Sequence, residues 1–238
     1  SDLKSKIKTL ALILIGATTA FTVSSCLGDS TDNYEERNAF VNKAMISSLG
    51  NWSGKLNFSN TLKVKEEEPA VTWNTSKDKD SYKITISNFP VNKLAKSIKV
   101  PEVTATSSNE LKLAHDSLTA LKDALAALPN VTYTAAVGTL WGYVKDPLWC
   151  FMPMQNIDLT LKFMDKEHHY KLMQYKNNAE LDAYAYAYTS VYQTTPESMK
   201  INGVFRYLVE VDDKGRPSKE VREFSPSQFF FTSTSHTK

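Results

Sequence analysis

Apolar and polar positions divide this chain into a leader and a patterned body. An uncharged run from Leu10 to Val23 is followed by polar residues up to Asn33, and regular repeats begin only at Tyr34. There Phe40, Val41, Ala44, Met45 and Leu49 recur at the helical period. Asp32 and Glu35 stand at capping-box spacing and Gly50 supplies a stop, which predicts a helix over 34–49. The period then drops to two: Trp52, Leu56 and Phe58, then Leu62 and Val64, Val71 and Trp73, and Tyr82, Ile84 and Ile86 predict short antiparallel strands. The charged segments Lys65–Pro69 and Ser76–Asp80 read as exposed turns between them. A second helical stripe, Leu111, Ala114, Leu118, Leu121, Leu125 and Leu128, predicts a helix over 107–128, capped by Ser107 with Glu110 and ended by Pro129. His115 falls off that stripe and is expected to face water. Alternation resumes at Val131 and is clearest in Ile157–Phe163, and further strands are predicted at 170–175, 183–192, 204–211 and 228–232. Asp212-Asp213-Lys214-Gly215 serves as a hairpin turn between two of them.

The order helix, strands, helix, strands predicts an α+β protein, mainly antiparallel sheet with two long helices packed on it. A β-barrel or sandwich with peripheral helices is the alternative. The patterned region, 34–238, reads as one body, and its order suggests two similar halves, 34–100 and 107–238.

The leader changes the picture. Lys4, Lys6 and Lys8 precede the apolar run, which is shorter than the ~20 residues a membrane-spanning helix needs, so residues 1–25 are expected to be a signal peptide. It ends in Val23-Ser24-Ser25-Cys26, which resembles the lipobox of bacterial lipoproteins: a branched apolar residue, two small residues that admit the peptidase, and a cysteine whose thiol is alkylated. Residues 26–33 are then an acylated tether. Acyl chains at ~0.8 kcal/mol per buried methylene hold the membrane as partner through lipid on Cys26. Losing the leader removes three lysines and one aspartate, which brings the 28 basic and 26 acidic residues to parity and excludes the basic field a nucleic-acid partner needs. With Cys26 lipidated, Cys150, set among Leu148, Trp149, Phe151 and Met152, is expected to be an unpartnered, buried, inert residue.

Beyond the lipobox, Leu49-Gly50-Asn51-Trp52-Ser53-Gly54-Lys55-Leu56, Ile86-Ser87-Asn88-Phe89-Pro90-Val91 and the late hairpin Lys200–Gly215 resemble segments of small outer-membrane lipoproteins of gut Bacteroidetes, grouped as domains of unknown function. The resemblance implies an outer-membrane, lipid-anchored location, periplasmic or surface-exposed, and an antiparallel fold. It transfers no catalytic residue. Leu27 after the lipidated cysteine permits outer-membrane sorting, and Asp29 and Asp32 resemble acidic surface-export signals.

Catalytic chemistry leaves little trace. No Gly-x-Ser-x-Gly elbow, His-Glu-x-x-His or phosphate-cradling loop occurs, so no cofactor and no metal is expected. His168 and His169, adjacent on a strand, would point to opposite faces, poor geometry for one metal, and read best as a solvated turn. Glu66, Glu67 and Glu68 read as a solvated loop, and Asp78 with Asp80 lacks the rest of a calcium loop. The aromatic pattern is more informative. Tyr184, Tyr186, Tyr188 and Tyr192 share one face of a strand, opposite Ala183, Ala185 and Ala187, and could form a ligand-binding stripe or line an ordinary core. The leading expectation is a noncatalytic module of the envelope that binds a ligand, a glycan or an envelope protein. An envelope hydrolase and a structural subunit of a surface assembly, which needs an exposed strand edge, are the other two.

Overall fold

A computed structural model describes residues 34–142, 148–174 and 188–238. Residues 1–33, where the signal peptide, Cys26 and the tether are expected, lie outside the described residues. In chain order the described elements are α1 (Tyr34–Ser47), β1 (Gly50–Asn60), β2 (Lys65–Asp78), β3 (Ser81–Phe89), a 3-10 helix (Val91–Ser97), α2 (Asn109–Ala126), β4 (Val131–Gly142), β5 (Leu148–Pro153), β6 (Ile157–Phe163), β7 (Lys166–Met173), β8 (Tyr188–Thr194), β9 (Glu197–Val211) and β10 (Pro217–Thr237).

Among the described residues all strand pairings are antiparallel. β1 to β5 follow one another, β8 and β9 continue the sheet, and β10 pairs with both β9 and β1, which closes an eight-stranded barrel. The main expectation, helices laid on an open sheet, is therefore corrected to its alternative, a barrel with peripheral helices. Closure is a nonlocal event: β1 and β10 pair across almost the whole length of the body, as in Trp52 against His236, and no local period encodes that. The β6–β7 hairpin stands outside the ring. β9 is long enough to serve two neighbours on one side, β8 along Glu197–Gly203 and β7 along Tyr207–Glu210, so the hairpin extends the sheet from the barrel wall.

The inward positions of the ring are aromatic. Trp52, Trp73, Phe58, Phe89, Phe151, Phe205, Phe229, Phe231 and Tyr192 are each at most 2% exposed. Phe89 alone meets Tyr133, Phe205, Phe229 and Phe231 at ring-centroid distances of 6.2, 6.5, 4.8 and 5.4 Å. Filled by side chains of this size, an eight-stranded barrel has a packed centre.

Both helices form close to where the periodicity places them. α1 lays Val41, Ala44 and Met45 against β4, β5 and β8. α2 starts one residue later than expected, because Ser108, not Ser107, accepts the amide of Leu111; Ser107 instead accepts the Thr104 amide in the preceding turn. α2 packs on the 3-10 helix and on β6, with Leu121 and Leu125 buried, Leu118 half-buried and Leu111 exposed. His115 is not out in water: its Nδ1 lies 2.7 Å from the Pro101 carbonyl and the residue is half-buried. Leu125→Ala is thus expected to cost about 2–5 kcal/mol and Leu118→Ala clearly less, as read from urea unfolding midpoints. Equal losses would contradict this orientation of the helix.

Two expected turns are strand instead. Glu66, Glu67 and Glu68 pair with Phe58, Asn57 and Leu56 at the start of β2, and residues 76–78 continue β2 before a turn at Lys79 and Asp80, Lys79 having φ 56. Leu62, read as strand, sits in the turn between β1 and β2, 42% exposed. The Asp212–Gly215 turn forms as expected. Asp212 Oδ1 accepts the amides of Lys214 and Arg216, and Gly215 supplies the positive φ of 74. The amide of Arg216, joined by its guanidinium and the Lys214 amide, donates to the Asp212 carboxyl and holds it below the usual carboxylate range.

Candidate functional site

The predicted tyrosine stripe meets the fold at one residue. Tyr184, Tyr186 and the side chain of Tyr188 lie outside the described residues. Tyr192, on β8, is 1% exposed and belongs to the barrel centre. Its ring meets Trp52 edge-on at 5.9 Å, and its hydroxyl donates to Glu197 Oε2 at 2.7 Å. Tyr192 is architecture.

That hydroxyl leads to a cluster the sequence did not announce. Glu197 Oε1 is 2.9 Å from His236 Nδ1, His236 Nε2 is 2.7 Å from the Leu49 carbonyl, and the imidazole stacks on Trp52 at 4.1 Å. The carbonyl can only accept, so Nε2 carries a proton. Nδ1 faces the Glu197 carboxylate, which also accepts from Tyr192, and the ring lies flat on an indole face. Burial pushes the Glu197 carboxyl upward, but the hydrogen bonds from Tyr192 and His236 and the charges of His236 and Lys238 outweigh it and hold it below the usual range. Burial and the neighbouring carboxylate both push the Tyr192 hydroxyl well above the ordinary phenol value, so it remains a donor. The His236 side chain is 2% exposed and both its nitrogens are spent, so the cluster closes the barrel wall and has no free base. Plain alternation from Phe231 would put His236, five residues on, on the outer face. A bulge reverses the parity: Ser53 pairs with Ser235 but Lys55 with Thr232.

The same bulge shapes the surface next to the cluster. β10 and β2 each carry extra residues opposite Gly54, where Gly54 pairs with Val71 but Leu56 with Glu68. No side chain fits at Gly54, since a Cβ there would stand 2.0 Å from the Thr232 carbonyl oxygen. The double bulge bends four strands into a trough of about 580 Å³ on the outer wall, between β9, β10, β1 and β2. Its rim is polar, with Lys55, Thr72, Lys200 and Thr234, and Pro69, Ala70 and Val71 supply its apolar floor, with Met199 sealed beneath. Lys55 makes only a 3.5 Å contact with Glu67, both half exposed, a pair of little strength.

The chain belongs to the DUF4840 family. The family's profile, that of a domain of unknown function, matches residues 47–205. No curated protein matches the chain, and no solved structure does. The DUF4840 match runs from the end of α1 to the middle of β9, so it includes the Gly54 bend, Tyr192 and Glu197, whereas β10, with His236 and the Thr232–Thr234 side of the trough, lies beyond it. Closure of this DUF4840 barrel thus rests on a strand outside the matched region.

The remaining candidates of the DUF4840 chain are structural. Glu66 binds Lys96 at 2.6 Å and Lys93 at 3.5 Å, and Glu68 binds Lys93 at 2.9 Å, which ties the 3-10 helix to β2. Burial raises the Glu66 carboxyl, and the two lysines overcome it to leave it below the usual range. His168 and His169 do face opposite ways, but on β7 and not in a solvated turn: His168 stacks on Phe163 at 4.1 Å and meets Glu210 at 2.8 Å, while His169 bonds Thr160 at 3.2 Å. Among the described residues no group of acidic, histidine or cysteine side chains could hold a metal ion. Cys150 is buried as expected but not unpartnered, since it is disulfide-bonded. The chain's other cysteine is Cys26, outside the described residues.

Proposed function

We propose that this protein is a lipid-anchored envelope module whose barrel binds a ligand on its outer trough and performs no chemistry on it. The observation that carries the reading is the trough itself. Lysine and hydroxyl donors stand around an apolar floor at a bend where Gly54 admits no side chain, while Glu197 and His236, adjoining the trough along β9 and β10, are consumed by each other, by Tyr192 and by the Leu49 carbonyl. Such a rim suits a ligand rich in oxygen acceptors, an envelope glycan foremost. A screen of the full chain against glycans and envelope proteins should yield a ligand whose affinity falls about fivefold or more on Lys55→Ala or Thr234→Ala, the loss of ~1 kcal/mol per hydrogen bond. Affinity indifferent to both substitutions, or turnover of the ligand that depends on Glu197, would sink the trough reading.

Anchoring rests on the lipobox at Cys26, whose sulfur cannot hold both a lipid thioether and a disulfide. The state of Cys150 therefore reports on Cys26. Membrane-extracted protein is expected to begin at Cys26 with added acyl mass and to show one thiol, Cys150, that alkylates only after denaturation. Cleaved protein without acyl mass, and without a titratable thiol until reduced, would refute the lipoprotein assignment.

A further inference from the structure

β6 ends the strand order: it pairs with β7 on one side, and among the described residues no strand lies on the other. An open edge of seven residues is a template for pairing. Which of its groups face outward follows from the turn. β6 and β7 are joined by Met164 and Asp165, with φ 52 and 59, the two positive values of a type I′ hairpin. The pair flanking such a turn, Phe163 and Lys166, exchanges both backbone hydrogen bonds. Bonding then alternates along the strand, so Leu161, Leu159 and Ile157 turn their amides and carbonyls toward β7, and Lys162, Thr160 and Asp158 turn theirs outward.

Those outward positions are self-complementary. Read antiparallel to itself about Thr160, the strand sets Asp158 opposite Lys162, Leu159 opposite Leu161 and Ile157 opposite Phe163. Thr160 meets itself. The parity is right as well, because the three residues whose backbone groups point outward are the three that this register pairs through hydrogen bonds. Charge continues the pattern across the hairpin: Asp158 holds Lys171 at 2.9 Å and Lys162 lies opposite Glu167. Two hairpins joined in this way give rows reading Lys171, Asp158, then the partner's Lys162 and the partner's Glu167, alternating in sign throughout. Shifting the centre to Leu159 or Leu161 keeps the backbone parity but sets each charge opposite a threonine or beyond the strand.

We infer that the β6 edge is a homodimer interface, occupied by the β6 of a second copy in antiparallel register about Thr160. The face pattern fits: Ile157, Leu159, Leu161 and Phe163 are buried, while Asp158, Thr160 and Lys162 are exposed, so joining the edges keeps the apolar sides together and the ionic rows in water.

The test is sedimentation velocity of the full chain in mild detergent over a range of concentrations, with four proteins compared. The unaltered chain is expected to show a reversible dimer. Thr160→Pro removes an amide that points away from β7, so it should preserve the melting temperature and weaken dimerisation about a hundredfold or more. D158K places like charges opposite one another twice per dimer and should weaken it about tenfold or more. D158K with K162D restores opposite charges between copies while leaving like charges within each hairpin, beside Lys171 and Glu167, so recovery of the dimer reports the intermolecular pair and not folding. A monomer at every concentration, a dimer indifferent to Thr160→Pro, no recovery in the double variant, or capture of an unrelated extended peptide by a chain that stays monomeric would each overturn the inference.

Discussion

Trp52→Ala is expected to cost about 3–5 kcal/mol of folding stability, the largest loss of any single truncation proposed for this barrel. The indole is fully buried and serves three sets of neighbours. It lies parallel to Trp73 at 6.3 Å, receives the Tyr192 ring edge-on and carries His236 on its face. Its Nε1 also donates to the Ser48 carbonyl at 3.0 Å, which fixes the end of α1 to the start of β1. Truncation would empty the centre of the barrel at one end, leave that carbonyl without the indole donor and strip the His236 ring of its stacking partner, terms that add in one direction. Trp52→Phe keeps most of the apolar area and loses the donor, so it should fall between the two. Guanidinium unfolding midpoints measure both. A loss below about 1 kcal/mol for the alanine variant would mean that Trp52 is not at the barrel centre.

The second large effect concerns the Glu197–His236 pair and depends on pH. The Glu197 carboxyl is held below its ordinary value of 4.5 in the folded chain, so folding is favoured by its ionised form. That contribution is present above the unfolded value and is lost as pH falls through the lowered folded one, because there the unfolded chain binds more protons than the native one. Glu197→Gln keeps an acceptor for Tyr192 and cannot titrate. The stability difference between the unaltered chain and this variant should therefore hold steady near neutrality and shrink as the solution is acidified below about pH 4.5. A difference that widens on acidification would reverse the sign of the coupling. His236→Ala should cost about 2 kcal/mol, because it removes both hydrogen bonds of the ring and its stacking on Trp52.

Closure and its consequences place this protein among molecules whose interior is committed to packing, which leaves function to the outer wall and the edge. The trough uses the wall at Gly54 and the β6 hairpin uses the edge, and the two surfaces lie on different strands. A ligand on β9, β10, β1 and β2 and a second copy on β6 therefore compete for no residue.

The sequence by itself determined what depends on neighbours within a turn or two. α1 and α2 are visible as 3.6-residue stripes, β6 as an unbroken alternation and the Asp212–Gly215 turn as acceptors around a glycine, because these patterns reflect backbone geometry that each segment satisfies alone. Only the tertiary structure decided the rest. Glu66–Glu68 look like a loop until β1 offers them a partner and Lys93 and Lys96 neutralise two of them. Tyr192 looks like the end of a four-tyrosine binding stripe until the barrel closes around it. His236 sits in a run of serine and threonine, and its side chain is buried because bulges opposite Gly54 turn the strand over by one residue, where Gly54 and Thr232, some 180 residues apart in sequence, meet too closely for a side chain. Period-two reasoning holds only while the ladder is regular. The closure of a barrel demands bends, and each bend inverts the faces of everything that follows it.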